Sequence, residues 1–212
     1  MLKVNEIYAS IQGESSYSGL PCVFIRLTGC NLRCSWCDTA YAFYEGSDLT
    51  LEDIIFQVEN FSLPLVEITG GEPLMQENVY PLMNALLDKG YRVMLETGGA
   101  ISINKVPDEV IKILDIKCPG SGEEKKNHLE NLKLLKPHDE VKFVLIDRAD
   151  YDWSRDLMQK YDLPSSVQVL FSPVYDKLEL KDLSKWILKD RLPVRLQTQF
   201  HKVIWSKNAI GV

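Results

Sequence analysis

Three of the five cysteines, Cys30, Cys34 and Cys37, fall within eight residues in the stretch Gly29-Cys30-Asn31-Leu32-Arg33-Cys34-Ser35-Trp36-Cys37-Asp38-Thr39. The spacing is C-x3-C-x2-C. A disulfide would use two of these sulfurs and leave the third idle, so the trio points to a metal or a cluster. Zinc sites usually take four protein ligands and favour two C-x2-C knuckles or a Cys/His set. No second knuckle is present, and the three histidines lie far away in the chain. A [4Fe-4S] cube normally takes four cysteines. Three without an evident fourth suggest a cube with one iron left open, where a small molecule can bind and be reduced. The plain alternative is a turn that happens to hold unpaired packing cysteines, and the site-like spacing weighs against it. Cys22 and Cys118 bear no spacing relation to the trio and read as packing residues.

The surrounding residues narrow the reading. Ile11-Gln12-Gly13-Glu14 and Arg26 precede the cysteines, Trp36-Cys37-Asp38-Thr39 closes the loop, and Thr69-Gly70-Gly71-Glu72-Pro73 follows. The cysteine triplet resembles that of the radical S-adenosylmethionine (SAM) enzymes. The whole combination resembles the 7-carboxy-7-deazaguanine synthase family within them, over most of the chain. Ser15 stands where that family more often has glycine. The resemblance implies a ring contraction of 6-carboxy-5,6,7,8-tetrahydropterin to 7-carboxy-7-deazaguanine, with loss of ammonia. It implies one [4Fe-4S] cluster on Cys30, Cys34 and Cys37, with SAM chelated to the fourth iron and used catalytically. It also implies magnesium at Thr39, a one-electron donor such as flavodoxin or ferredoxin, and a homodimer.

The same resemblance distributes roles over the remaining candidates. Trp36, Cys37, Asp38, Gly71, Glu72, Asp115, Lys117, Ser172 and Pro173 are expected at SAM. Ile11, Gln12, Gly13, Glu14, Arg26, Thr69 and His201 are expected at the substrate. Several also have a reading from chemistry alone. Paired glycines let a ligand approach the backbone closely, and the Glu72 carboxylate can receive an ammonium group. Arg26 sits in an apolar strand, where its guanidinium needs a carboxylate, from a ligand or from Glu14. Gln12 and Glu14 suit a pterin edge that offers donors and acceptors together. For Thr39 the ordinary alternative is a turn cap.

These residues need a scaffold that brings them together. Val23–Leu27 reads as the strand that delivers the cysteine loop, after an extended entry from Leu2 to Gln12. A capping box at Thr50 and Asp53 opens a helix with Leu51, Ile54, Ile55 and Val58 on one face. Strands are expected at Leu65–Ile68, Arg92–Glu96, Leu114–Lys117, Glu140–Leu145 and Val167–Phe171. Helices are expected around Val79–Leu87, near Pro107–Ile111, and at Asn127–Leu135, Asp150–Tyr161 and Glu179–Lys189, the last with Leu180, Leu183 and Ile187 inward. Six strand–helix units imply a parallel sheet under helices. A full eight-unit barrel takes about 250 residues, so 212 residues fit an abbreviated, open TIM-type barrel of six units, one radical SAM domain over 1–212. The glycine-rich and reactive stretches fall at the carboxyl ends of strands, where such folds do chemistry. Arg26, Glu67, Glu96, Asp115, Lys117 and Lys142 interrupt apolar strands and can line a polar cavity. For Glu67 and Lys142 the alternative is a strand end in water.

Composition sets outer bounds. With 45% hydrophobic and 25% charged residues, the chain is of ordinary globular make-up. No apolar run is long enough to span a membrane, and the start is not signal-like. The expected compartment is the cytoplasm, where thiols stay reduced. A net charge of −6 argues against a broad nucleic-acid surface. Two rivals remain: a glycyl-radical-enzyme activase of the same superfamily, and a simple iron–sulfur electron carrier. The open fourth ligand and the full α/β chain weigh against the carrier.

Overall fold

The structure is a computed structural model that describes residues 1–206 and 209–211. Among these, nine strands form one sheet. β1 (Leu2–Ile11) pairs antiparallel with both β2 (Pro21–Leu27) and β3 (Ser47–Leu49). From β2 the sheet runs parallel through β4 (Leu65–Gly70), β5 (Arg92–Thr97), β6 (Ile111–Ile116), β7 (Glu140–Leu145) and β8 (Gln168–Pro173). The two-residue β9 (Arg195–Leu196) ends it. β3 and β9 are free edges, so the sheet stays open as a partial barrel. The six parallel strands expected from the apolar runs are β2 and β4 to β8.

Period-two alternation divides the sheet into two faces. Val23, Ile25, Val66, Ile68, Val93, Leu95, Leu114, Val141, Phe143 and Phe171 join one buried core with the helices. α1 (Leu51–Phe61) opens with the expected Thr50–Asp53 capping box and buries Ile54 and Val58. α2 (Val79–Asp88), α3 (Arg148–Lys160) and α4 (Leu180–Asp190) cover the same face. Leu180, at the first position of α4, is exposed, so Leu183 and Ile187 carry that contact. On the other face a small apolar floor of Phe24, Leu65, Met94, Ile111 and Ile113 underlies a charged layer.

Two expected helices are absent. The chain before β6 forms turns, with Val110 N–H donating to the Pro107 carbonyl at 3.1 Å, and the 127–135 stretch makes only a 3-10 turn at Leu129–Lys133. Asparagine side chains supply the reason. Asn131, fully buried, accepts from Ile103 N–H at 3.1 Å and donates to the Ile101 carbonyl at 2.8 Å. Asn127 pairs with both backbone groups of Lys117 at 2.9 Å. These bonds satisfy backbone polar groups that a helix would otherwise satisfy internally. No helix among the described residues is long and apolar enough to cross a membrane.

Candidate active site

The cysteine loop leaves β2 and is fastened to the loop after β4 by backbone bonds. Gly71 N–H donates to the Leu27 carbonyl at 3.2 Å and Glu72 N–H to the Gly29 carbonyl at 2.7 Å. A methyl group on Gly71 would overlap the Gly29 carbonyl and crowd Cys30 Cβ, so this approach requires glycine. Glu72 is fully buried, and its carboxylate accepts from Leu74 N–H at 3.0 Å, Thr97 Oγ1 at 2.8 Å and Gly98 N–H at 2.7 Å. Burial pushes its pKa up despite those donors. Glu72 therefore ties the β4 and β5 loops together, with its oxygens already engaged.

The loops enclose a cavity of about 750 Å³ at the carboxyl ends of the parallel strands. Of the residues expected at the cluster, magnesium, SAM or substrate, Glu72 and Pro173 do not line it; all the others do. Its floor is a layer of charges on alternate strand positions. Lys142, on β7, is 4% exposed, and its ammonium lies 2.9 Å from Glu14, 3.4 Å from Asp115 and against Glu96. Burial alone would lower the Lys142 pKa, yet these carboxylates carry it well above the usual lysine value. Lys117 meets Asp115 at 3.0 Å, and Thr69 Oγ1 donates to Glu96 at 3.2 Å. The Asp115 Oδ1 atom is buried with no hydrogen-bond partner among the described residues.

Arg26 departs from expectation. The β1–β2 register sets it opposite Glu6, which takes Arg26 Nε at 2.7 Å, while Tyr8 and Tyr41 flank the guanidinium. The Arg26–Glu14 pair considered from the sequence is therefore replaced by Arg26–Glu6 and Lys142–Glu14. Gln12 is also occupied: its amide donates to Glu67, and its carbonyl accepts from Glu14 N–H at 2.9 Å. Ser15 adopts φ of 62°, the left-handed region where glycine is easiest, and its N–H is held by Gln197 at 2.7 Å. Its hydroxyl accepts from Tyr17 N–H at 3.1 Å, a bond that glycine could not make.

The C-terminal stretch closes one side. The ring of His201 packs onto Gly13, and burial holds its pKa below the usual imidazole value. Gln197 and Gln199 both donate to Glu14 at 3.0 Å, and Lys202 reaches Asp38 at 2.7 Å. Burial would raise the Asp38 pKa, but Lys202, Gln199 and Thr39 hold it well below the usual carboxylate range. Thr39 precedes a 3-10 turn at Ala40–Phe43, yet its hydroxyl makes no cap bond and donates to Asp38 at 3.1 Å.

Gln197, Gln199, Lys202 and the Glu6–Tyr8–Tyr41 group have no site role in the sequence reading, and Lys142, Glu67 and Glu96 are expected there only as lining of a polar cavity, which they form. A signal existed for Lys142, Glu67 and Glu96, because a charge at alternate positions of an apolar strand is costly unless it faces a polar cavity.

The cysteines suit a cluster. All three are free and line the cavity lip, with Cys30 and Cys34 half-buried and Cys37 exposed. Leu32 N–H points at Cys30 Sγ from 3.4 Å, and Cys37 N–H closes a turn on the Cys34 carbonyl at 3.1 Å. Burial pushes the thiols up, Cys34 to about 11, so iron rather than free ionisation must displace their protons. Lys117 lies close enough to oppose that shift at each sulfur. Among the described residues no three Cys, His, Asp or Glu side chains converge on a single metal ion. The unpartnered Asp115 oxygen, in the same cavity, is suited to a donor on a bound organic group.

The chain is similar to known proteins. A 7-carboxy-7-deazaguanine synthase of Koribacter versatilis is 46% identical over 226 residues, covering the whole of both chains. This chain belongs to the 7-carboxy-7-deazaguanine synthase family. A synthase of that name from Chlorobaculum tepidum is 44% identical over 214 residues, all of this chain and 97% of the other. The pattern of the Radical SAM superfamily matches residues 24–116, which include the cysteine loop and Gly70-Gly71-Glu72. The crystal structure of QueE from Escherichia coli aligns over 94% of each chain with a TM-score of 0.78 at 22% identity, which shows the same fold. As a radical SAM synthase of this family, the chain takes SAM and one [4Fe-4S] cluster as cofactors.

Proposed function

We propose that this chain converts 6-carboxy-5,6,7,8-tetrahydropterin into 7-carboxy-7-deazaguanine and ammonia, a step towards 7-deazapurines such as queuosine. The carrying observation is that one cavity joins the three-cysteine lip to a deep floor of buried, paired charges. An electron carrier has no use for such a floor, and an activase would need a surface for a protein partner instead. When bound at Cys30, Cys34 and Cys37, the cluster would supply one-electron chemistry: reductive cleavage of a C–S bond of SAM into methionine and a 5'-deoxyadenosyl radical, with the electron coming from a donor such as flavodoxin or ferredoxin.

The chain's own residues bind and orient. Cys30, Cys34 and Cys37 would hold three irons. Trp36, Asp38, Gly71, Asp115, Lys117 and Ser172 would surround SAM, with the free Asp115 oxygen accepting from it. Glu72, with Pro173 behind the cavity wall, would act by fixing the loops that carry Gly71 and Gly98. Ile11, Gly13, Glu14, Arg26, Thr69 and His201 would enclose the pterin, and Gln12 would shape the loop that presents Glu14. The reading takes residues 1–212 as one domain, working as a homodimer.

Anaerobic reconstitution with iron, sulfide, SAM, magnesium and the carboxytetrahydropterin tests this. The deazapurine should form with one ammonia per product and far less than one 5'-deoxyadenosine per product. No deazapurine, or stoichiometric 5'-deoxyadenosine, would reject it.

Magnesium belongs at Thr39 on this reading. The substrate carboxylate must lie near an anionic cluster, and a divalent cation offsets that repulsion. The Thr39 hydroxyl lines the cavity and caps nothing, and magnesium readily keeps water and substrate oxygens as its other ligands. Thr39→Val should bind SAM normally, turn over about tenfold more slowly, the effect of losing about 1.4 kcal/mol, and respond weakly to added magnesium. A variant with the parent's magnesium response would return Thr39 to a purely structural place.

A further inference from the structure

Four carboxyl groups face the floor of the cavity, and one stands apart. Glu14, Glu96 and Asp115 each lie in ion-pair contact with Lys142. Glu67, on β4 and 4% exposed, has no ion pair among the described residues; its side chain accepts a hydrogen bond from the Gln12 amide. A buried carboxylate without a cation is expensive, and the usual outcome is that the group keeps its proton. The neighbours agree with this. Glu96 on β5 and Glu14 in the loop after β1 oppose ionisation of Glu67, which is already disfavoured by burial; Lys142 on β7 and Arg26 on β2 oppose them only in part. Cys22 on β2 and Tyr8 on β1 also face it, both pushed up chiefly by burial.

We propose that Glu67 acts as a neutral carboxylic acid that donates a hydrogen bond to a carbonyl-type acceptor on the substrate ring, and so helps to set specificity. This rests on the pterin reading above. A pterin's amide edge presents N–H donors beside a carbonyl. Carboxylates can accept from the former, but the carbonyl needs a donor from the protein. Gln12, the obvious amide, gives one N–H to Glu67 and has its carbonyl taken by Glu14 N–H, which ties its orientation to Glu67. Glu67 lines the cavity next to it and, holding its proton, has a hydrogen to give.

The test uses the reconstituted, SAM-loaded enzyme under anaerobic conditions and 6-carboxypterin, which keeps the same amide edge. Its dissociation constant is measured by equilibrium dialysis from pH 6 to 9 and expressed for the neutral-amide form of the ligand, whose own titration is followed by its absorbance and divided out. The unaltered enzyme should lose affinity as pH rises through the elevated Glu67 pKa, because the donor is present only below it. Glu67→Gln, which keeps an N–H donor and cannot ionise, should bind within about threefold of the parent at pH 6 and lack that alkaline loss. Glu67→Leu should bind about tenfold or more weakly throughout, the scale of one unmade hydrogen bond. Glu67→Gln binding as poorly as Glu67→Leu, or keeping the alkaline loss, would overturn the proposal while leaving the pterin reading intact. Failure of the unaltered enzyme to bind 6-carboxypterin at any pH would overturn both.

Discussion

Cys34→Ala will hold almost no iron after anaerobic reconstitution, whereas Cys118→Ala will hold close to four irons and four sulfides per chain. The two cysteines differ in what surrounds them. Cys34 is half-buried on the cavity lip, near enough to Cys30 and Cys37 for their charges to raise its pKa, after burial, against the opposing charge of Lys117. With three protein thiolates and one iron reserved for SAM, removing one thiolate leaves a second iron without a protein ligand. Cys118 is fully buried behind β6, with its sulfur 3.3 Å from Ser154 Oγ and part of the core under the helices. Its truncation should cost stability of about 1 kcal/mol through a small cavity, visible as a lower melting temperature with the cluster retained. Iron loss from Cys118→Ala would mean that a fourth thiol serves the cluster and would sink the three-cysteine assignment.

What could be read in the chain beforehand follows from range. The strands β2 and β4 to β8 are short apolar runs bounded by turn residues, so local composition marks them. The Thr50–Asp53 capping box is likewise complete within four residues and forms as read. The motifs sit at strand ends because the sequence itself sets them directly after those runs. The two absent helices fail for a reason no local pattern carries: Asn131 reaches back 30 residues to Ile101 and 28 to Ile103. Charge partners fail similarly. Arg26 meets Glu6 through strand register, and Lys142 meets Glu14 across 128 residues. The sequence shows that these charges need partners; only the folded sheet selects them.

Lys142 is the pairing on which the floor of the cavity depends, and Lys142→Met should be the most damaging single change outside the cysteines. Methionine keeps the length of the side chain and removes the ammonium. Glu14, Glu96 and Asp115 would then face one another, with Lys117 held at Asp115 as the remaining nearby cation. Removing one partner from a buried charge pair costs about 3–5 kcal/mol, because the other charge is left uncompensated. The cost will depend on pH in a direction that can be worked out. In the parent, burial favours a proton on Glu96, but Lys142, Lys117 and Thr69 together outweigh burial, Lys142 foremost, and the pKa lies below the ordinary value. That contribution to stability is present above the unfolded carboxylate pKa of about 4.3 and is lost only on further acidification. Between pH 5 and 8 the parent should therefore show no change from this group. Without Lys142, burial and the facing carboxylates prevail, and Glu96 should hold its proton more tightly folded than unfolded. Stability should then fall as pH rises, so Lys142→Met should melt at a higher temperature at pH 5 than at pH 8. Turnover at pH 8 should drop by about a hundredfold or more, since the presentation of Glu14 is lost together with about 3 kcal/mol or more of pairing. Thermal melts of the two proteins across that range decide the matter: a Lys142→Met protein that matches the parent at both ends would mean that the three carboxylates do not need this lysine.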